Sequence, residues 1–228
     1  MRNSKSVKKS FIFIFIISFS AIVQSQTKKI ALLSMEDTTI VHQHLGTTAF
    51  TNFTDTLHLD IPLANYVQNK LVGWMSTNYD VTIVKVPDSI RKHAISFWGR
   101  SKEFKRWYDG MRVGYDFIVV VSNTTIPTEM NLRIPENSSG FYSRGPLHGP
   151  YTTIDFNIYR AETNKLMEYY NLGGNLVTQL KDFKMPENKR SFTPEMLTEI
   201  KKELLKHMDT RIKYFLNHTY IVPPDVTK

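Results

Sequence analysis

The sequence predicts an α/β (α+β) domain: a single mixed β-sheet with helices packed on it, a late antiparallel hairpin and a C-terminal amphipathic helix. Three observations predict it. Phe117 to Ser122, FIVVVS, is a continuous apolar, β-branched run, the pattern of a strand covered on both faces. Apolar residues recur at helical spacing in the segments that begin at Pro62 and at Thr193-Pro194. Tyr151 to Tyr159 alternates apolar and polar residues and is followed by a polar turn and a second strand-like run.

The chain has 228 residues, of which 41% are hydrophobic. That is one ordinary domain or two small ones, with enough apolar material for a core, so wholesale disorder is excluded. There is no Cys. This excludes disulfide scaffolds, Cys-ligated zinc, iron–sulfur clusters, thiol catalysis and a lipid-modified amino-terminal Cys.

Residues 1–25 read as a signal peptide. Arg2, Lys5, Lys8 and Lys9 form a positive start, and Phe11 to Val23 is an apolar run. Val23-Gln24-Ser25 then places small side chains where a signal peptidase inspects them, which predicts cleavage before Gln26. The run is shorter than the roughly 20 apolar residues of a membrane span. Loss of the four basic residues of this leader lowers the net charge from +8 to about +4. A mild positive balance is compatible with an anionic partner and demands none. No nucleic-acid-reading motif is present. The predicted organisation is therefore a signal peptide (1–25), a single α/β domain (26–219) and a loose tail (220–228).

Within the domain, Lys29 to Met35 reads as a buried strand and Thr38 to His44 as a second, joined to it by a polar Glu36-Asp37 turn. Residues 46–56 lack periodicity, and a short strand is expected through Leu57 and Leu59. Leu63, Val67, Leu71 and Trp74 make one stripe of a helix over 62–77, with Asp60 expected to cap it and Pro62 suited to its first turn. Val81 to Val86 is a strand. Pro87-Asp88 starts a helix with Ile90, Ala94, Phe97 and Trp98 on one face. Ser101 caps a third helix, in which Phe104, Trp107, Tyr108 and Met111 share a face.

After the strand at Phe117 to Ser122, residues 124–139 read as a long loop. A short strand over Phe141 to Ser143 is expected before Gly145-Pro146 and Gly149-Pro150 break the chain. Tyr151 to Tyr159 is predicted as a half-exposed strand, with Asp155 and Asn157 on its polar face. Glu162 to Lys165 turns the chain, Asn164 tolerating positive φ, and Leu166 to Tyr170 returns as the hairpin partner. In the last helix Leu197, Ile200, Leu204, Met208 and Phe215 form the apolar stripe that covers the sheet.

Two stretches invite a chemical reading. His42-Gln43-His44 puts two imidazoles on one face of a strand, a weak zinc pattern with His58 or Asp60 as a third ligand. The bland alternative is a pair of surface histidines, and no metal or other cofactor is assigned. Gly140 to Pro150, GFYSRGPLHGP, combines Ser, Arg and His with turn residues. A binding role is assigned there to Tyr142, Ser143, Arg144 and His148. A catalytic role for Ser143 with His148 lacks both an orienting third group and a Gly-x-Ser-x-Gly elbow. Gly173-Gly174 is read as a turn, since it lacks the phosphate-loop pattern. The basic and aromatic segment Arg91 to Arg112 is read as a helix face with its rings in the core, although such a surface also suits an anionic glycan.

YDVTIVKV, YDFIVVVS and TIDFNIYRAETNKLMEYY, in that order, resemble a group of exported bacterial α/β domains. The group includes the TolB amino-terminal domain, the activator lipoproteins of penicillin-binding proteins and the curli-secretion lipoprotein. Gly114-Tyr115-Asp116 matches the Gly-acidic lead into a central strand. Arg160 to Lys165 matches the hairpin turn, with Asn164 in place of the usual Gly. The lipidated Cys that many members carry has no counterpart. The resemblance implies a non-enzymatic envelope protein that binds another protein, or a second copy of itself, through a sheet edge or exposed loops. It transfers no functional residue. The expectation is a periplasmic or secreted binding or assembly factor without nucleic-acid partners, touching membrane only through an uncleaved leader. An envelope hydrolase using Ser143 and His148 is the alternative.

Overall fold

The β-branched and aliphatic runs pair first with one another. In the computed structural model, which describes residues 27–34, 38–91, 101–123, 133–135, 137–170, 176–219 and 221, strand β1 (Lys29–Ser34) lies between two parallel neighbours. These are β4 (Asp80–Lys85) and β5 (Phe117–Asn123). Strand β8 (Ile154–Arg160) joins β5 antiparallel, and β9 (Lys165–Tyr170) returns beside β8. The order of this first sheet is β4-β1-β5-β8-β9. Asn164, at φ 52° in the β8–β9 turn, occupies the left-handed position assigned to it.

A second sheet, ordered β3-β2-β6-β7, corrects the expectation of a single one. It is built from β2 (Thr39–His44), β3 (Phe53–Thr56), β6 (Ser138–Arg144) and β7 (Leu147–Thr152). The sheets meet where side-chain hydroxyls add to the backbone bond from the Thr153 amide to the Ser138 carbonyl at 3.2 Å. The Thr153 hydroxyl donates to the Ser138 carbonyl at 2.8 Å, and the Ile154 amide donates to the Thr152 hydroxyl at 3.1 Å. One residue, Thr153, therefore separates β7 from β8, and the run predicted as a single strand is divided between two sheets. Strands β1 and β2 pair with other strands and not with each other. The Glu36-Asp37 turn lies outside the described residues.

The helices cover the first sheet on both faces. Helix α1 (Leu63–Met75) places Leu63, Val67, Leu71 and Met75 against Ile30, Leu32, Val119 and Ile158. Helix α4 (Pro194–His218) adds Ile200, Leu204, Met208, Ile212 and Phe215 to the same cluster. Each such side chain contributes about 1.5–3 kcal/mol through removal from water. On the other face, α2 (Asp88–Arg91) leads towards α3 (Lys102–Met111), whose Phe104 and Tyr108 pack on Ala31, Leu33, Ile118 and Val120. Ser101 caps α3 and Thr193 caps α4, each accepting from an amide three residues on.

Several expectations are revised. Helix α1 begins after Pro62 without a side-chain cap, so Asp60 does not serve it. The strand expected at Leu57 and Leu59 lies earlier, as β3. Strand β8 is buried on both faces, Asp155 and Asn157 included, because β5 and β9 flank it within a doubly covered sheet. The predicted positions of Ala94, Phe97, Trp98, Gly173 and Gly174 lie outside the described residues, as do residues 1–26, 220 and 222–228. Ile221 is described, and it is buried against the α1–α4 cluster.

Candidate functional site

The Gly140 to Pro150 stretch is a β-hairpin, which corrects its reading as a loop. Its glycines are what the ladder requires. A side chain at Gly140, φ 143°, would meet the Val41 carbonyl oxygen at 2.1 Å. One at Gly149 would meet the Thr178 carbonyl oxygen at 1.7 Å. Gly145 turns the chain at φ 52°.

Register then decides which side chains meet. β2 and β6 are parallel, with His42 opposite Phe141 and His44 opposite Ser143. β6 and β7 are antiparallel, with Ser143 opposite His148. Residues in register share a face, so His42, His44, Ser143 and His148 all lie on one side of the second sheet. Tyr142 is buried on the opposite side, with Val41, Leu45 and Tyr151. Arg144 is exposed at the hairpin end. The four residues predicted as a binding loop are thus distributed over two faces and an edge.

The Ser143 hydroxyl sits between two imidazoles. It is 2.7 Å from His42 Nε2 and 2.8 Å from His44 Nδ1. His42 Nδ1 is buried and has no hydrogen-bond partner. An orphaned N–H there would cost more than an orphaned lone pair, which favours the His42 tautomer protonated at Nε2. His42 then donates to Ser143, and Ser143 donates to His44. Aromatic rings enclose the cluster. Phe192 stands 4.9 Å from His42, Phe53 5.2 Å from His42 and 4.8 Å from His44, and Phe141 5.7 Å from His42. Phe183 lies 5.0 Å from Phe141 and 6.1 Å from His148.

Electrostatics follow from burial. His42, 1% exposed, has its pKa pushed down to about 3, first by desolvation and then by the neighbouring His44. His44 is shifted down in the same direction by burial and by Lys189. Asp55 lies opposite His42 in the β2–β3 register, but its carboxylate pairs with Arg190 at 3.3 Å. Arg190 also stacks 4.3 Å above the Phe53 ring. Tyr142 is raised by burial, with the Arg144 guanidinium acting in the opposite sense.

The arrangement amounts to a serine and two histidines without an orienting carboxylate. Ser143 is 2% exposed. Nucleophilic catalysis requires the hydroxyl to reach a substrate carbonyl and the base to be held by a third group. Replacing Ser143 with Ala leaves the His42 Nε2–H buried without an acceptor. We expect a loss of about 1–3 kcal/mol in urea denaturation. No group of three His, Asp or Glu among the described residues is placed to hold a metal ion. His58 and Asp60 are both exposed.

A surface cavity of about 490 Å³ opens at the carboxyl ends of β1 and β4, beside the start of α1. Ligands of open α/β sheets bind in such positions. Its lining includes Ser34, Thr38, Asn65, Gln68 and Lys85, with no carboxylate among the described residues. Nothing in the sequence pattern singled these residues out, because strand ends and helix starts converge only through topology.

Among the described residues, no helix is long and apolar enough to cross a membrane. No family model matches the chain. No curated protein matches it either.

Proposed function

We propose that the chain is an exported, non-enzymatic α/β domain that acts as a binding or assembly factor of the cell envelope, in the manner of the TolB-type domains its strand pattern resembles. The observation that carries this reading is the burial of Ser143, the best-placed nucleophile, 2% exposed and hydrogen-bonded between two imidazoles. Export rests on the positive, apolar and small-residue order of residues 1–25. The partner is an envelope protein or a second copy, with an anionic glycan as the other surface that a net charge of about +4 suits.

Expression with its leader in a bacterial host tests export. Intact mass of the periplasmic or secreted protein is expected to correspond to a chain beginning at Gln26. A mass retaining residues 1–25 overturns the reading in favour of an uncleaved anchor. Crosslinking in the envelope, followed by mass spectrometry, identifies the partner.

One observation favours a hydrolase as the second reading. Ser143 has an imidazole at hydrogen-bond distance on each side, though these belong to His42 and His44 and not to His148. If Ser143→Ala abolishes a hydrolytic activity while the circular-dichroism spectrum is unchanged, the binding reading falls.

A further inference from the structure

Residues 176–193 form an irregular segment that crosses the second sheet before α4 begins. Phe183 is buried in the main core cluster and Leu180, Met185 and Phe192 pack on it, but among the described residues few backbone hydrogen bonds tie the segment to the second sheet. Val177 bridges to Tyr151, the Thr178 amide donates to the Pro150 carbonyl at 3.0 Å, and the Leu180 amide donates to the His148 carbonyl at 2.9 Å. Phe183 and Phe192 then lie down on Phe141, and Arg190 closes the end over Phe53. Gly149 lets this strap approach β7 closely, since any side chain there would strike the Thr178 carbonyl.

Three histidines, from three different elements, lie under this one segment. His42 of β2 is beneath Phe192, and His148 of β7 is beneath Phe183. His207 of α4 holds the Thr178 hydroxyl at 2.7 Å from its Nδ1. His207 Nε2 and both ring nitrogens of His148 are buried with no hydrogen-bond partner. The strap carries four basic residues, Lys181, Lys184, Lys189 and Arg190, against two acids, Asp182 and Glu187. A charge acquired below it meets like charge above.

We propose that residues 176–193 are an acid-released strap, which protonation of His42 and His207 beneath it lifts from the second sheet, uncovering the Phe53–Phe141–His42 surface. The groups facing each histidine agree with this sense. Beside His42 stand the Ser143 hydroxyl and His44, Lys189 acts on His44, and Asp55, opposite His42 in the β2–β3 register, is paired with Arg190. Around His207 stand Thr178 and Arg211, with Glu203 one turn back engaged by Lys206 and Asp155 acting on Arg211. His148 lies opposite Ser143 in the β6–β7 register, with the Phe183 ring packed against it. Burial and these neighbours push His42 and His207 down to about 3 in the closed form. A histidine that is freed on opening regains its ordinary value near 6.5, so opening takes up protons. Between those values each such histidine favours the open form about tenfold per pH unit, or on the order of 30-fold at pH 5. The first sheet is covered on both faces by apolar helix stripes, and a segment with few backbone hydrogen bonds opens before it does.

Amide hydrogen exchange of the full chain, with rates corrected for the intrinsic rate at each pH, tests this. Thr178 and Leu180 report the strap, and the amides of β1 and β5 report the core. Protection of Thr178 and Leu180 is expected to fall at least tenfold between pH 7.5 and pH 5.0, while β1 and β5 remain more protected than the strap. A His42→Phe, His207→Asn double variant is expected to lose most of that dependence. Unchanged strap protection at pH 5.0 overturns the proposal, as does a fall of β1 and β5 protection to the level of the strap. Should the double variant not fold, the comparison of strap with core in the natural chain decides alone.

Discussion

Replacing Gly140 with Ala is expected to abolish the folded state or to cost more than about 4 kcal/mol. The residue sits at φ 143° in β6, the strand bonded on both sides in the second sheet. An added Cβ would lie 2.1 Å from the Val41 carbonyl oxygen and 2.8 Å from its amide nitrogen. Backbone on a neighbouring strand cannot withdraw without breaking the β2–β6 ladder, and β7 blocks retreat on the other side. The whole stability of a domain is about 5–15 kcal/mol, so one such insult consumes a large part of it. Gly145 is the control. It also has positive φ, but a Cβ there meets nothing within 4 Å, so its Ala variant costs about 1 kcal/mol. Urea denaturation of both variants checks the contrast. Equal midpoints contradict it.

Acid is expected to remove comparable stability without any substitution. His42 and His207 are 1% and 5% exposed, and both are pushed down to about 3. Desolvation is the main cause, aided by His44 in one case and Arg211 in the other. An unfolded histidine titrates near 6.5, so between pH 6.5 and about 3 the unfolded chain binds more protons than the folded one. Stability is therefore complete above pH 6.5 and is lost as pH falls through that window. The slope is about 1.4 kcal/mol per pH unit for each histidine. Two histidines over two units give a loss of about 5 kcal/mol near pH 4.5, and added salt restores little of it because the groups are buried. Urea midpoints measured from pH 8 to pH 4 are expected to be level above pH 7 and to fall steadily below 6. A His207→Asn variant is expected to fall with about half the slope. A midpoint at pH 5 equal to that at pH 7.5 contradicts this.

The parts of the fold legible beforehand are those that local periodicity encodes. Leu63, Val67 and Leu71 face the core from α1, and Ile200, Leu204, Met208 and Phe215 from α4, because a helix stripe is set by its own 3.6-residue repeat. β5 is central because its apolar run has no polar face to offer water. The second sheet was hidden. Gly140, Gly145, Pro146, Gly149 and Pro150 punctuate β6 and β7 as they would a loop, yet two of those glycines are needed for close backbone approach. Pro150 is tolerated within β7, at the rim of its sheet, where its carbonyl still accepts from Thr178.

The candidate site was half legible for the same reason. The alternation His42-Gln43-His44 places both rings on one face, but their partner Ser143 lies about a hundred residues away. Only strand register brings it between them, and register is a property of the whole sheet. The strap, with no periodicity of its own, gave no signal until Phe183 and Phe192 were seen on Phe141.

The claim on which the rest depends is that the histidine–serine face of the second sheet is closed interior at neutral pH. Imidazole NMR titration of the folded protein tests it most directly. His42 and His207 are expected to remain neutral well below pH 6, with His42 protonated at Nε2. Midpoints near 6.5 for both rings, in protein whose β1 and β5 amides are still protected, would show that face to be open to water and would contradict the claim.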